Sequence, residues 1–202
     1  AQAGRGGPSS CVRRMGVEGM QHSAETDVRG DPVVLTSGSQ EPWGQPEHAF
    51  EEGHAAAVCV EALTAAGFDV TTGVAGLETS FVAEYGSGPL VVGICAELDA
   101  LPGVGHACGH KIIAASGVGA GMGLARIADE AGITIRVLGT PAEEGGGGKI
   151  IMLEDGICDG LHLAMGPSCA DGVRRLPGAG RNRMRVPHAR QVGSLVARPP
   201  QE

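Results

Sequence analysis

Apolar order is absent from residues 1–42, which hold Gly, Ser, Pro and Arg without periodicity and read as an irregular or disordered arm. From Glu47 to Ala66 the spacing predicts a helix, with Phe50, Gly53, Ala57, Val60 and Leu63 as its apolar stripe and Gly67 as its stop. Asp69–Thr72 and Ser80–Tyr85 read as short strands. Pro89–Glu97 is the strongest strand signal, because Leu90 to Cys95 is a continuous apolar run, as in a strand buried on both faces. A second helix is predicted from about Ile112 to Glu130, ended by Gly132. Its glycines at 117, 119, 121 and 123 each cost helix stability, and close packing against a sheet is the expected return. Ile133–Leu138 is another strand, Lys149–Glu154 a short helix, and Leu161–Met165 a last strand. This order predicts a three-layer α/β domain with a mainly parallel sheet. In such sheets sites form at the carboxyl ends of strands. Three polar segments fall there: Glu97–Leu101, His106–His110 and Pro141–Gly148.

Charge divides the chain further. Residues 43–167 hold 16 acids and 4 bases, whereas residues 168–202 hold 7 Arg and 2 acids. The acidic middle repels phosphates, so no nucleic-acid partner is expected, and it suits cations. The longest uncharged apolar stretch, Ile112 to Ala125, is too short to span a bilayer, so no membrane partner is expected either. The six cysteines are irregularly spaced, and residues 1–42 lack an apolar run. Free thiols and a cytoplasmic location follow as expectations. The chain starts at Ala1, and its true beginning is expected to lie upstream.

Three clusters carry candidate chemistry. In His106-Ala107-Cys108-Gly109-His110 a thiolate and an imidazole two residues apart can turn toward one cation, and that pair favours zinc. The competing account is a buried free Cys with incidental His neighbours. Glu143 and Glu144 precede four glycines. Adjacent carboxylates at a strand end are costly without a positive partner, so one can hold a metal while the other takes a proton from water. A solvated acidic loop is the alternative. Asp99, closing the apolar strand, can orient a metal-binding His from behind or simply turn the chain. A phosphate-binding loop ending at Lys149 fails on spacing, since Glu143 stands where a Gly is needed and Ile150 where Ser or Thr is needed.

At these residues the chain resembles the di-zinc amidohydrolases and metallopeptidases of peptidase family 20. The similar stretches are Pro46-Glu47 with Phe50-Glu51-Glu52, Ala96-Glu97-Leu98-Asp99-Ala100-Leu101-Pro102, Gly105-His106-Ala107-Cys108-Gly109-His110 and Gly139-Thr140-Pro141-Ala142-Glu143-Glu144-Gly145. The Gly-Thr-Pro start and the Gly run ending in Lys149 look most like the aminobenzoyl-glutamate hydrolase and β-alanyl-dipeptidase branch. The resemblance implies a zinc-peptidase-like catalytic domain, incomplete here, with two Zn2+ per full site and Mn2+ or Co2+ as alternatives. It implies that Cys108 bridges the metals, that His110 and Glu144 are further ligands, that Glu143 is the general base and that Asp99 supports the site. The substrate would be a small N-acyl amino acid or dipeptide, cleaved at its amide bond by water, and full-length relatives would be dimers. A truncated, inactive remnant that binds only metal or a partner is the other reading.

Lys111 departs from the family, which has Asn or Asp beside the metals, and Met165 is followed by Gly166-Pro167 where the family has Met-Val-His-Pro. Residues 43–167 are therefore expected to be a partial catalytic domain, and residues 168–202 an Arg-rich tail foreign to the family. A shifted reading frame over residues 166–202 accounts for the change. Deleting one nucleotide from a permitted coding of Met165-Gly166-Pro167-Ser168 restores Met-Val-His-Pro. The same frame turns His188–Val196 into a sequence containing Gly-Lys-Ser-Ala-His, like the turn of the family's second domain.

Overall fold

The computed structural model describes residues 46–167, so the expectations for the arm and the tail lie outside the described residues. Five strands form one sheet: β1 (Asp69–Thr72), β2 (Phe81–Tyr85), β3 (Leu90–Glu97), β4 (Ile133–Thr140) and β5 (Leu163–Met165). Their spatial order is β1-β2-β4-β3-β5. The sheet is mixed. β3 pairs in parallel with β4 and with β5, while β2 runs antiparallel to both β1 and β4. The expected parallel sheet is thus found at β3, β4 and β5. The two strands preceding β3 fold back antiparallel beside β4.

Helices cover both faces. On one face lie α1 (Gly53–Ala65) and α2 (His110–Ala125), followed by the single turn α3 (Ala128–Ala131); α4 (Gly148–Glu154) lies on the other. Alternation along the strands sorts the side chains between the faces. Phe81, Ala83, Ile94, Ala96, Ile135 and Val137 join α1 and α2 in the larger core. Cys95 and Leu138 turn the other way, onto Met152 of α4 and Leu161. β3 is buried over its last six residues, as its unbroken apolar run requires.

Gly117 and Gly121 of α2 pack as closely as expected. A Cβ on Gly117 would stand 2.8 Å from the Cys95 carbonyl oxygen, and one on Gly121 would stand 2.5 Å from Val137 Cγ2. The helix stops earlier than its pattern suggested, at Ala125, and α3 ends on Gly132, whose φ is 64°.

Two features of α1 correct the sequence reading. It starts at Gly53 rather than Glu47, because Phe50 takes a φ of 66° and turns the chain first. The Glu47 carboxylate then accepts the N–H groups of His54 (2.9 Å) and Ala55 (2.8 Å), capping the helix from outside it. Its buried stripe is Ala55, Ala56, Cys59 and Leu63, so of the predicted stripe only Leu63 is buried. Alanine is the commonest residue of this helix, and its small side chain leaves the choice of face to the neighbouring elements. Among the described residues no helix is long and apolar enough to cross a membrane. Cys59, Cys95, Cys108 and Cys158 are free thiols, as expected; burial pushes Cys59 and Cys95 up to about 12.

Candidate metal centre

The carboxyl ends of the parallel neighbours β3 and β4 deliver the site. β3 ends at Glu97, Leu98 is fully buried, and Asp99 follows. Residues two apart at a strand end point to one side, so Glu97 and Asp99 face the same space. β4 ends at Thr140, paired in register with Glu97, and leads into the turn that carries Glu143 and Glu144. Opposite them α2 begins. Gly109, with a φ of 76°, reverses the chain so that Cys108 lies before the helix and His110 is its first residue.

His110 is the centre of the cluster and is almost fully buried. Its Nδ1 lies 2.7 Å from the Asp99 carbonyl oxygen and 3.0 Å from Asp99 Oδ1. That side of the ring is therefore committed, and Nε2 faces the remaining acids: Glu97 Oε2 at 3.3 Å, Glu144 Oε1 at 3.5 Å and Glu143 Oε2 at 3.8 Å. The other Asp99 oxygen accepts the Glu144 N–H at 2.9 Å. Candidate ligand atoms of Glu97, His110 and Glu143 all lie within 4.8 Å of one another. Cys108 lies beside Glu144, whose carboxylate pushes its thiol up to about 11. His106 stands beside the cluster, where burial and the nearby Lys111 ammonium hold its imidazole below the ordinary value.

All five residues singled out from the sequence, Asp99, Cys108, His110, Glu143 and Glu144, thus come together in one place. Two more belong there. Glu97 faces His110, and Lys149, on the first turn of α4, hydrogen-bonds Glu97 and stands 3.7 Å from Glu143 Oε1. Glu97 was legible from its two-residue spacing to Asp99. Lys149 had no comparable signal, because its partner lies 52 residues away. A cleft of about 410 Å³, lined by His48, Glu51, Leu101 and Pro102, opens onto Asp99 and Glu144.

The donor set tests whether a cation fits. An imidazole with Nδ1 committed and the carboxylates of Glu97 and Glu143 gathered around its Nε2 are a donor set that fits a divalent cation, with Cys108 and Glu144 beside it, and the Asp99–His110 bond is the support such a ligand needs. The electrostatics of the metal-free pair lead to a pH prediction. Burial works to raise the Asp99 carboxyl, but the bonds from His110, Glu144 and Glu143 outweigh it and hold the group below 3.8. Burial works to lower His110, but the Asp99 bond and charge and then Glu97 leave it above 6.5. A depressed acid stabilises above its unfolded pKa and loses that as pH falls through the folded value; a raised His stabilises below its unfolded pKa and loses that as pH rises through the folded value. The pair therefore stabilises the metal-free chain most between about pH 4 and 6.5. A divalent cation at His110 needs its neutral imidazole, so any stabilisation by such an ion is expected to grow above that window. Thermal melts in EDTA and in zinc across this range check it. A metal-free Tm that climbs steadily above pH 6.5 would contradict the argument.

Residues 93–178 match the peptidase family M20/M25/M40, so the match extends past Met165. One of the subunits of the p-aminobenzoyl-glutamate hydrolase of Escherichia coli K12 is 31% identical, over 68% of this chain and 33% of the relative. The Xaa-Arg dipeptidase of Mus musculus is 41% identical, over 60% of this chain and 31% of the relative. The chain thus spans about a third of the length of these curated relatives. Among solved structures, the Bacillus subtilis YXEP protein, a dinuclear metal binding peptidase from the M20 family, superposes with a TM-score of 0.61. It is 26% identical, and the match covers 67% of this chain and 42% of that protein.

Proposed function

We propose that the chain is the metal-binding portion of an amide-bond hydrolase of the M20/M25/M40 peptidase family, which residues 93–178 match. The observation that carries this is the convergence of Glu97, Glu143 and Glu144, from the ends of two parallel strands, on His110 at the start of α2, with Asp99 behind His110 and Cys108 beside Glu144. In this reading Cys108, His110 and Glu144 hold zinc, and Mn2+ or Co2+ are the other candidates. A bound divalent cation supplies Lewis acidity and lowers the pKa of water to about 7.

The chain's own residues do the rest. Asp99 fixes the ring plane of His110 through two contacts on Nδ1. Glu143 is the general base, because its Oε2 faces the same space as His110 Nε2 at 3.8 Å. It takes a proton from the attacking water and returns it to the amine nitrogen as the C–N bond breaks, leaving a carboxylate and an amine. Lys149 lies against the other oxygen of Glu143 and restrains its rotation. The cleft beside Asp99 and Glu144 receives the substrate, a small N-acyl amino acid or dipeptide. The names of the relatives support that class, since one is a hydrolase of an aminobenzoyl-glutamate and another a dipeptidase. The second reading is a chain that holds metal without turnover.

Zinc binding is the direct test. The purified chain should retain zinc through mild dialysis, and Cys108→Ser combined with His110→Ala should weaken that binding at least about tenfold. Equal zinc content in the parent and the double variant would remove the site. Hydrolysis of an N-acyl amino acid by a zinc-loaded chain then separates the enzyme from the remnant.

A further inference from the structure

Among the described residues three that are not glycine take a positive φ: Phe50 (66°), Ala75 (55°) and Ala142 (53°). Side chains disfavour this region, so something must hold such residues there. Two of the three share one holder. Glu52 Oε1 accepts the Phe50 N–H at 3.0 Å and the Ala142 N–H at 2.8 Å. Its other oxygen accepts the Thr79 hydroxyl at 2.8 Å. Glu52 is fully buried, and each of these partners donates to it.

Ala142 is the anchor of the turn after β4. Its carbonyl oxygen accepts the N–H groups of Gly146 (3.1 Å) and Gly147 (2.8 Å), closing the turn that carries Glu143 and Glu144. The Phe50 ring lies against Gly146, where a Cβ would overlap it. On the far side of Glu143, the Glu144 N–H is held by Asp99. The main-chain amides on both sides of Glu143 are therefore fixed by carboxyl groups, Glu52 before it and Asp99 after it.

We propose that Glu52 is a positioning residue: by clamping the Ala142 amide it sets where Glu143 and Glu144 stand relative to His110. The proposal rests on the functional reading above and deepens it with a residue that touches neither metal nor substrate.

The test compares Glu52→Gln, Glu52→Ala and the core control Leu63→Ala in the full chain. In Glu52→Gln the amide oxygen keeps both N–H partners, and the Thr79 hydroxyl reverses to accept from the new NH2 group. Zinc affinity should therefore stay within about threefold of the parent in Glu52→Gln and fall about tenfold or more in Glu52→Ala. Leu63→Ala should lower Tm while leaving zinc affinity unchanged. If Glu52→Ala fails to fold by circular dichroism, Glu52→Asp takes its place, since its carboxyl falls one methylene short of both amides. Amide hydrogen exchange without metal supplies a second readout. The amides of residues 142–147 should lose protection in Glu52→Ala and keep it in Glu52→Gln. Unchanged exchange in that turn, or an equal loss of zinc affinity in Leu63→Ala, overturns the clamp. A parent chain that binds no zinc sinks the metal reading instead, and the exchange result still decides whether Glu52 holds the turn.

Discussion

His110→Ala is expected to cost the metal-free chain about 3–5 kcal/mol, the loss associated with stripping a buried charge of its partner. The imidazole touches Asp99 twice, and Asp99 is 1% exposed, so water cannot replace what is removed. The Glu144 N–H still reaches Asp99, but one main-chain donor does not balance a buried carboxylate. The same substitution leaves Glu97, Glu143 and Glu144 facing one another with Lys149 as the cation among them. Urea unfolding monitored by circular dichroism measures the effect. Adding Asp99→Asn to His110→Ala should recover part of the loss, because the uncompensated charge is then gone. A loss below about 1 kcal/mol, typical of exposed positions, would show that the cluster is solvated rather than buried.

Gly148→Ala should cost about 3 kcal/mol, at the upper end for overpacking. Gly148 is the first residue of α4 and is buried. A Cβ there would land on the Pro141 carbonyl oxygen, well inside contact distance, and a main-chain atom cannot rotate away as a side chain can. The turn from Pro141 to Gly148 would have to open, displacing Glu143 and Glu144 together. Gly145 lies in the same turn, yet a Cβ on it meets nothing within 4 Å, and its φ is not among the positive ones. Gly145→Ala should therefore change stability by less than about 0.5 kcal/mol. Thermal melts of the two variants side by side make the comparison, and equal Tm values would contradict it.

The sequence was most legible where one local signal sufficed. Leu90–Cys95 reads as a strand covered on both faces, which holds from Val92 onward while Leu90 is exposed, and the glycines of α2 announced close packing that Gly117 and Gly121 display. Asp99, Cys108, His110, Glu143 and Glu144 could be gathered in advance because sheets of this kind place their loops at one end. What stayed hidden depends on pairs distant along the chain. Nothing local shows that β2 will join β4 antiparallel, and β1 is too exposed to advertise its partner. The late start of α1 follows from the turn at Phe50 and from Glu47 reaching the amides of His54 and Ala55, where periodicity alone extends the helix back to Glu47. Glu52 meets Ala142 across 90 positions and Lys149 meets Glu97 across 52, so neither role has a local trace.

The bare contact between α2 and the strands beneath it has a mechanical meaning. Where Gly117 faces the Cys95 carbonyl, no side chain stands between helix and strand to act as a spring or to change rotamer. The height of α2 over the sheet, and with it the reach of His110 at its first turn, is gauged by main-chain atoms of nearly fixed dimensions. A site that works only within about half an ångström benefits from such a gauge. The glycine face of α2 is thus a reference surface from which His110 is measured, and an added methyl at Gly117 would be felt at the candidate metal centre about two turns away.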